Sequence, residues 1–261
     1  MNRLPSWLIV WCAGVYAFLH IPILVLVLFS FNDSKFSVAW EGFTLKWYAR
    51  LWERQDIVDG LVASLWVATT STLIATVLGT LLALALARGA FPGRRWLEML
   101  LYVPVVTPEI VVGISLLVLF VAMGLPLGLT TVVIAHVAFN LTYVVVVVLA
   151  RLAGMDRSLE EAAMVLGADE VTTFWRITVP QLFPGILSGA MLAFTMSFDD
   201  YVITSFVTGP GSGTLPVVVY TMVRKNIEPS INAISTLVLV GTVILVTLAD
   251  RWGRNRPLAG P

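Results

Sequence analysis

Three acidic residues in apolar stretches are the first residues in this sequence that could do chemistry. Asp199 and Asp200 lie side by side in one apolar run, and Glu109 lies in another. An Asp at the centre of a bilayer costs about 3 kcal/mol even by insertion scales, so each acid requires a partner, water or a bound cation. Such acids could bind a cationic solute in a membrane pathway. An intramembrane aspartyl protease is the alternative, and Glu109 is the only acid on another run that could face the pair.

The residues before the two acids indicate which way each acid points. A small residue recurs at every fourth position, at Gly185, Gly189, Ala193 and Ser197, and such stripes let helices pack closely. On a continuous helix Asp200 lies within about 20° of Ala193 and continues this stripe, whereas Asp199 lies about 100° further round. We therefore expect Asp200 to face protein or water, and we do not expect an acid dyad. Substrate contact and a purely structural role stay open for both acids.

Two other apolar runs carry polar residues at informative spacings. His136, Asn140 and Tyr143 lie at i, i+4 and i+7, so they share a helix face that must turn away from lipid. Thr107-Pro108-Glu109 has the order of N-cap, first-turn proline and first-turn acid, so we expect a helix to restart there. Broken helices are tolerated in a bilayer where they line a cavity. The first group could join helices or line a pathway, and Glu109 could neutralise the helix start or meet a cationic substrate.

The longest polar break between apolar runs, residues 151–183, has the pattern of two short helices. Ser158 and Glu161 have the spacing of a capping box, and Gly167 suits the left-handed turn that ends a helix. Asp169 is placed to cap the next helix. Between these signals, Ala162 and Ala163 give the first helix a small, smooth face. Such an element at a membrane surface suits insertion into a groove of a partner protein.

Composition identifies the class of protein. The chain is 58% hydrophobic and only 12% charged, against about 25% charged residues in soluble domains. A span needs about 20 apolar residues. We therefore predict an all-α membrane protein, a single domain over residues 1–261, with six transmembrane helices at about 7–29, 61–87, 99–122, 130–150, 184–207 and 233–249. Membrane lipid is an expected partner, and no nucleic-acid partner is expected.

The distribution of basic residues predicts the orientation. Most of the 16 Lys and Arg residues fall on one side if the N-terminus is inside, and basic residues favour the cytoplasmic side. Both termini and the 151–183 loop are therefore expected in the cytoplasm.

The motifs of common enzymes do not occur in the sequence. No G-x-x-x-x-G-K-[ST] phosphate-binding loop, H-E-x-x-H or G-x-S-x-G is present, so we expect no ATP hydrolysis by this chain and no catalytic residue. The lone Cys12 excludes an internal disulfide, and no paired metal-ligand spacing occurs. We therefore expect no cofactor in this chain.

The 151–183 loop resembles a signature of ABC importer permeases. That signature reads E-A-A, three residues, G, nine residues and I-x-L-P, and the loop matches all fixed positions except Val179, where Leu is usual. The matching residues are Glu161, Ala162, Ala163, Gly167, Ile177 and Pro180. The resemblance implies a type I ABC importer permease fold in which this loop is the coupling helix seated in an ATPase subunit.

Two further segments resemble spermidine/putrescine-type permeases. One is the first loop, with Phe31-Asn32-x-Ser34 and the aromatic stretch from Trp40 to Tyr48, and the other is the run from Ser197 to Gly209. The resemblance implies a bacterial inner-membrane complex with a second permease, two ATPase subunits that bind ATP and Mg, and a periplasmic solute-binding protein. It implies polyamine import, and the two adjacent acids favour putrescine as the solute.

Alternatives to putrescine import remain at two levels. Spermidine, an opine or another small organic solute would suit the same kind of importer. A secondary carrier is a different class, and it would be expected to contain internal repeats and its own ion-coupling site. No convincing duplication is visible in the sequence.

Overall fold

The computed structural model describes residues 5–34, 39–225 and 228–254, and within them the chain is almost entirely helical. The only β pairing in the described part of the chain is an isolated bridge between Asn32 and Phe43. The helices are α1 Ser6–Phe29, α2 Lys46–Glu53, α3 Gln55–Arg88, α4 Arg94–Val106, α5 Glu109–Ala122, α6 Leu129–Ala153, α7 Ser158–Val165, α8 Glu170–Thr173, α9 Val179–Asp199, α10 Val202–Val207, α11 Leu215–Lys225 and α12 Pro229–Arg254. A π-helical turn, Phe174–Thr178, joins α8 to α9.

The predicted spans all fall on helices, but the count of six is not reproduced exactly. By length and apolar composition, four helical stretches can cross a membrane, namely Trp7–Phe29, Gln55–Arg88, Leu129–Ala153 and Glu170–Asp199. A bent pair, α4 and α5, adds a fifth if it is one span, and Pro229–Ile244 is a shorter apolar stretch where we predicted the sixth. Residues 1–4 and 255–261, which we expect in the cytoplasm, lie outside the described residues.

The third predicted span, 99–122, is broken at Pro108. The axes of α4 and α5 differ by 113°, so the expected helix restart is confirmed. The predicted cap is wrong, because Thr107 is the extended residue that ends α4 while Pro108 occupies the N-cap of α5 without a side-chain bond. A proline disfavours the helical conformation of the residue before it, which explains the extended backbone of Thr107.

Packing divides the chain into two compact units, residues 1–58 with 218–245 and residues 59–217 with 246–261. In the first unit Asn32 organises the loop after α1. Its side-chain amide donates to the Ala39 carbonyl at 2.6 Å and accepts from the Glu41 N–H at 2.8 Å. The buried Trp47 indole donates to the Asn32 carbonyl at 2.7 Å. The position of Trp47 in this loop therefore has a structural explanation.

In the second unit α6 lies against α9 and α3 through small residues. A Cβ atom added to Gly79 of α3 would lie 2.7 Å from Val144 Cγ1 of α6, so only glycine allows this approach. The core beside this contact contains Ala75, Ala83, Val144, Val148, Leu182 and Ala193. The stripe predicted on the fifth span, Gly185, Gly189, Ala193 and Ser197, is buried as expected. These contacts place the polar residues of α6 and α9 inside the protein.

Candidate coupling surface and intramembrane polar network

The first short helix of the 151–183 loop, α7, begins at Ser158, but the predicted capping box is wrong. Ser158 is the first helical residue, and its N–H donates to the Asp156 carboxylate at 2.9 Å. Hydrogen bonds from the backbone N–H and the side chain of Ser158 hold the pKa of Asp156 below its ordinary value. Asp156 therefore accepts from the Ser158 N–H, which the Glu161 carboxylate was expected to do, and the Glu161 N–H donates to the Arg157 carbonyl instead of the Ser158 hydroxyl. Glu161 is left exposed.

The turn after α7 matches the prediction. Gly167 has φ of 93°, in the left-handed region. The Gly167 N–H donates to the Met164 carbonyl and the Ala168 N–H to the Ala163 carbonyl, each at 3.0 Å, which is the Schellman pattern of helix ends. The Asp169 carboxylate then accepts from the Thr172 N–H at 3.1 Å and caps α8 as expected.

The signature residues lie at or near one exposed surface of this loop. Glu161, Ala162, Gly167 and Pro180 are exposed, and Ala163 and Ile177 are half-buried. The two apolar side chains at the end of α7 are almost fully exposed, Val165 at 86% and Leu166 at 88%. We call the exposed face formed by Glu161, Ala162, Val165, Leu166 and Gly167 the coupling surface.

A cleft of about 520 Å³ lies beside the coupling surface. Its walls are Met164 of α7, Glu170, Val171 and Thr173 of α8, and Phe174, Trp175 and Thr178 of the π-helical turn, with Arg88 and Glu160 completing it. Val171 and Trp175 are exposed apolar side chains on its rim. The loop thus presents an apolar surface and an adjoining cleft.

Glu160 is a residue of this cleft that the sequence pattern does not single out. Its carboxylate oxygen Oε1 accepts from Arg88 Nη2 of α3 at 2.5 Å and from Thr178 Oγ1 at 2.6 Å. Burial raises the pKa of Glu160, but the hydrogen bonds from Thr178 and Arg88 outweigh it and hold the pKa below its ordinary value. The sequence shows a glutamate next to the signature and an arginine at the end of a predicted span. It does not show that these two residues are paired, because 72 residues separate them.

The fifth predicted span, 184–207, is also broken, and the break changes the position of Asp200. Helix α9 ends at Asp199, Asp200 has an extended backbone, and α10 begins at Val202. The expectation that Asp200 continues the stripe on an unbroken helix is therefore wrong. Its carboxylate instead accepts from the N–H groups of Ile203 at 3.2 Å and Thr204 at 2.7 Å. Asp200 thus caps the start of α10.

His136 connects Asp200 to two other helices. Its Nε2 lies 3.2 Å from Asp200 Oδ2 and 2.9 Å from Thr204 Oγ1, and its Nδ1 lies 2.6 Å from Ser197 Oγ. Ser197 in turn lies 3.0 Å from Ser71 Oγ of α3. This network joins α3, α6, α9 and α10. Only 9% of the Asp200 side chain is exposed, so protein groups rather than water supply the hydrogen bonds to its carboxylate.

The other predicted pathway residues are not part of this network. Asp199 and Glu109 are exposed, and neither carboxylate forms a hydrogen bond or ion pair with any described residue. Asn140 is fully buried, and neither amide atom has a hydrogen-bond partner within the described ranges. Tyr143 is half-buried with its ring edge against Phe139 at a centroid distance of 5.0 Å. The structure therefore brings His136 together with Asp200 and separates their environment from that of Asp199.

Among the described residues there is no group of three or more His, Cys, Asp or Glu side chains arranged to hold an ion. Cys12 is an exposed free thiol in α1.

Comparison with known proteins identifies the family. The family described as "Binding-protein-dependent transport system inner membrane component" matches residues 75–255. The chain belongs to this family. This inner-membrane permease therefore carries the fold class expected from the sequence, and its signature loop and broken spans can be described as parts of a transport subunit.

Curated relatives match this permease over nearly its whole length. The spermidine/putrescine transport system permease protein PotC of Escherichia coli K12 is 40% identical over 243 residues, covering 93% of this chain and 92% of the relative. The putrescine transport system permease protein PotI of the same strain is 43% identical over 250 residues, covering 92% and 89%. PotC of Haemophilus influenzae is 39% identical over 236 residues, covering 90% and 92%.

Solved structures share the fold at low identity. A chain of a bacterial ABC transporter that imports the acidic polysaccharide alginate has a TM-score of 0.75 at 15% identity, covering 96% of this chain and 95% of that chain. A chain of the inward-facing MetNI methionine ABC transporter has a TM-score of 0.65 at 17% identity, covering 79% and 97%. The predicted type I ABC importer permease fold is confirmed.

Proposed function

We propose that this permease is a membrane-spanning subunit of an ATP-driven importer that moves a polyamine, with putrescine favoured, from the periplasm to the cytoplasm. The observation that carries the proposal is the 40% and 43% identity, over 93% and 92% of the chain, to permeases named for spermidine/putrescine and putrescine transport. Spermidine is the second candidate, because one relative is named for both amines. An opine or another small organic solute is the third.

The coupling surface supports docking of an ATPase subunit. Val165 and Leu166 are almost fully exposed although apolar, and complete burial of such a side chain contributes about 1.5–3 kcal/mol. A groove in a partner would supply that burial, and Glu161 beside them would supply a charge. In this proposal the loop and both termini are cytoplasmic, Ile177 and Pro180 shape the connection to α9, and the partner ATPase binds ATP and Mg.

The proposed complex contains a second permease, two ATPase subunits and a periplasmic solute-binding protein. Helix α1 must be covered by lipid or by a neighbouring subunit along its length, because no side chain from Trp7 to Phe29 is buried. ATP-driven closure of the ATPase subunits would displace α7, and the attached spans would turn the pathway from inward-facing to outward-facing. No ATP would be hydrolysed by this chain.

The acids have different roles in the proposed pathway. Asp199 and Glu109 are exposed carboxylates without a partner in the described residues, and a charge in a membrane segment must meet water, protein or a cation. We assign both acids to the cationic solute, and we place Tyr143 in the same proposed pathway. Asp200 and His136 instead hold the broken fifth span together. Asn140 is a buried amide, and it would contact the solute only in a state of the permease in which the pathway opens beside it.

Reconstitution tests this function. The permease is co-expressed with the proposed second permease and ATPase subunits, purified as a complex, and placed in proteoliposomes loaded with ATP, with the binding protein outside. We expect uptake of labelled putrescine to depend on internal ATP and on a co-purified ATPase, with spermidine as competitor. Uptake that persists on an ion gradient without ATP would support a secondary carrier and overturn the proposal.

A further inference from the structure

Glu160 lies where three parts of the second unit meet. It belongs to the first turn of α7, Arg88 is the last residue of α3, and Thr178 ends the π-helical turn that leads into α9. One carboxylate oxygen accepts hydrogen bonds from both partners, at 2.5 and 2.6 Å. Only 13% of the Glu160 side chain is exposed, so this contact is shielded from solvent more than an ordinary surface ion pair.

The covalent connections make these two bonds mechanically important. From α7 the chain reaches α9 through the left-handed Gly167 turn, the short α8 and the π-helical turn, where motion of α7 could be absorbed. The bond from Thr178 to Glu160 bypasses that turn. The connection from α7 to α3 is longer still, because Arg88 and Glu160 are separated by 72 residues. For α3, the Arg88 bond is the direct route.

The surroundings of Glu160 place it within reach of a docked protein. Glu160 lines the cleft beside the coupling surface, together with Met164 and Trp175. The π-helical turn that carries Thr178 is a wider helical geometry that is frequent at functional sites. A protein seated on α7 would therefore act on a helix that is tied directly to two predicted spans.

We infer that Glu160 is a positioning residue for transport, which ties α7 to the ends of α3 and α9 so that displacement of α7 moves both spans. It does not contact solute or nucleotide. The inference rests on the proposed function, because it requires an ATPase seated on α7. It adds a residue outside the signature positions, with a role in force transmission rather than in docking.

Loss of this tie has a different consequence from loss of docking. Without the Glu160 carboxylate, ATPase closure still displaces α7, but α3 and α9 follow it less. ATP hydrolysis then continues while solute movement declines. The quantity that reports the tie is therefore the amount of solute imported per ATP hydrolysed.

The test uses Glu160→Ala in the complete complex in proteoliposomes, with uptake and ATP hydrolysis measured on the same preparation. We expect the ATPase to co-purify as with wild type and solute per ATP to fall about fivefold or more, the low end of typical coupling between sites. Thr178→Val and Arg88→Gln, which each remove one bond, should lower the same ratio and decide the matter if Glu160→Ala does not assemble. The matched control is Glu98→Ala, which removes a carboxylate paired with Arg94 at 2.8 Å within a single helix, and its ratio should equal that of wild type.

The outcomes separate the inference from the function on which it rests. If solute per ATP in the Thr178 and Arg88 variants equals that of the Glu98 control, the inference is overturned. Equal losses of uptake and hydrolysis would also overturn it, because they indicate a structural role alone. If the wild-type complex shows no ATP-dependent uptake, the proposed function itself fails.

Discussion

Replacement of Asp200 by alanine tests the division of roles between the two adjacent acids. Asp200 accepts hydrogen bonds from the N–H groups of Ile203 and Thr204 and from the Thr204 hydroxyl, and it lies 3.2 Å from His136 Nε2. Loss of an N-cap costs about 0.5–2 kcal/mol, and a buried group left without a partner costs about 1–3 kcal/mol. We therefore expect Asp200→Ala to destabilise the protein by about 2–4 kcal/mol.

The assay is thermal unfolding of the purified complex, followed alongside uptake. A loss of this size corresponds to a midpoint lowered by roughly 5–15 °C for a chain of this length. Asp199→Ala is the matched control, because the Asp199 carboxylate is exposed and makes no bond to the described residues. It should unfold within about 0.5 kcal/mol of wild type and yet lose uptake. The reasoning is refuted if Asp200→Ala unfolds like wild type or if Asp199→Ala is the variant that loses stability.

Four further predictions concern other contacts. Gly167→Asp should prevent co-purification of the ATPase while the permease still inserts, because an L side chain is strained at φ of 93°; normal co-purification would contradict the docking role. Gly79→Val should destabilise the protein by about 1–3 kcal/mol through overlap with Val144 and so lower the thermal midpoint. An unchanged midpoint would contradict the close packing at Gly79. Asn32→Ala should speed tryptic cleavage of the first loop, and wild-type cleavage rates would argue against its organising role. Because the pKa of Glu160 is lowered, its carboxylate stabilises the folded protein above the ordinary Glu pKa, and this stabilisation is lost as pH falls through the lowered value. Glu160→Gln has no carboxylate to titrate, so its stability should fall less than that of wild type over this acid range. Identical acid unfolding curves for the two proteins would contradict this.

The sequence predicts those features that depend on neighbouring residues. The left-handed turn at Gly167 and the cap at Asp169 follow from local hydrogen bonding, and both are observed. The restart of a helix after Pro108 follows from the steric effect of proline on the residue before it. The buried stripe that includes Gly185 and Gly189 follows from helical periodicity.

Features that depend on distant residues could not be predicted in this way. The break at Asp200 follows no proline or glycine, and its carboxylate is stabilised partly by His136, 64 residues away in sequence. Helical periodicity alone therefore extended α9 past its real end. The same holds for Glu160, whose partner Arg88 lies on another helix. At Ser158 the difference has a local cause, since Asp156 takes the Ser158 N–H that the Glu161 side chain would bind in a capping box.

Site-specific photo-crosslinking from the coupling surface tests the central claim most directly. A photoreactive amino acid at Leu166, which is 88% exposed, should crosslink to the ATPase subunit in intact membranes, while the same probe at the exposed Val10 of α1 should not. A crosslink from position 166 to the periplasmic binding protein, or the absence of any crosslink to the ATPase in a complex that transports solute, would contradict the account.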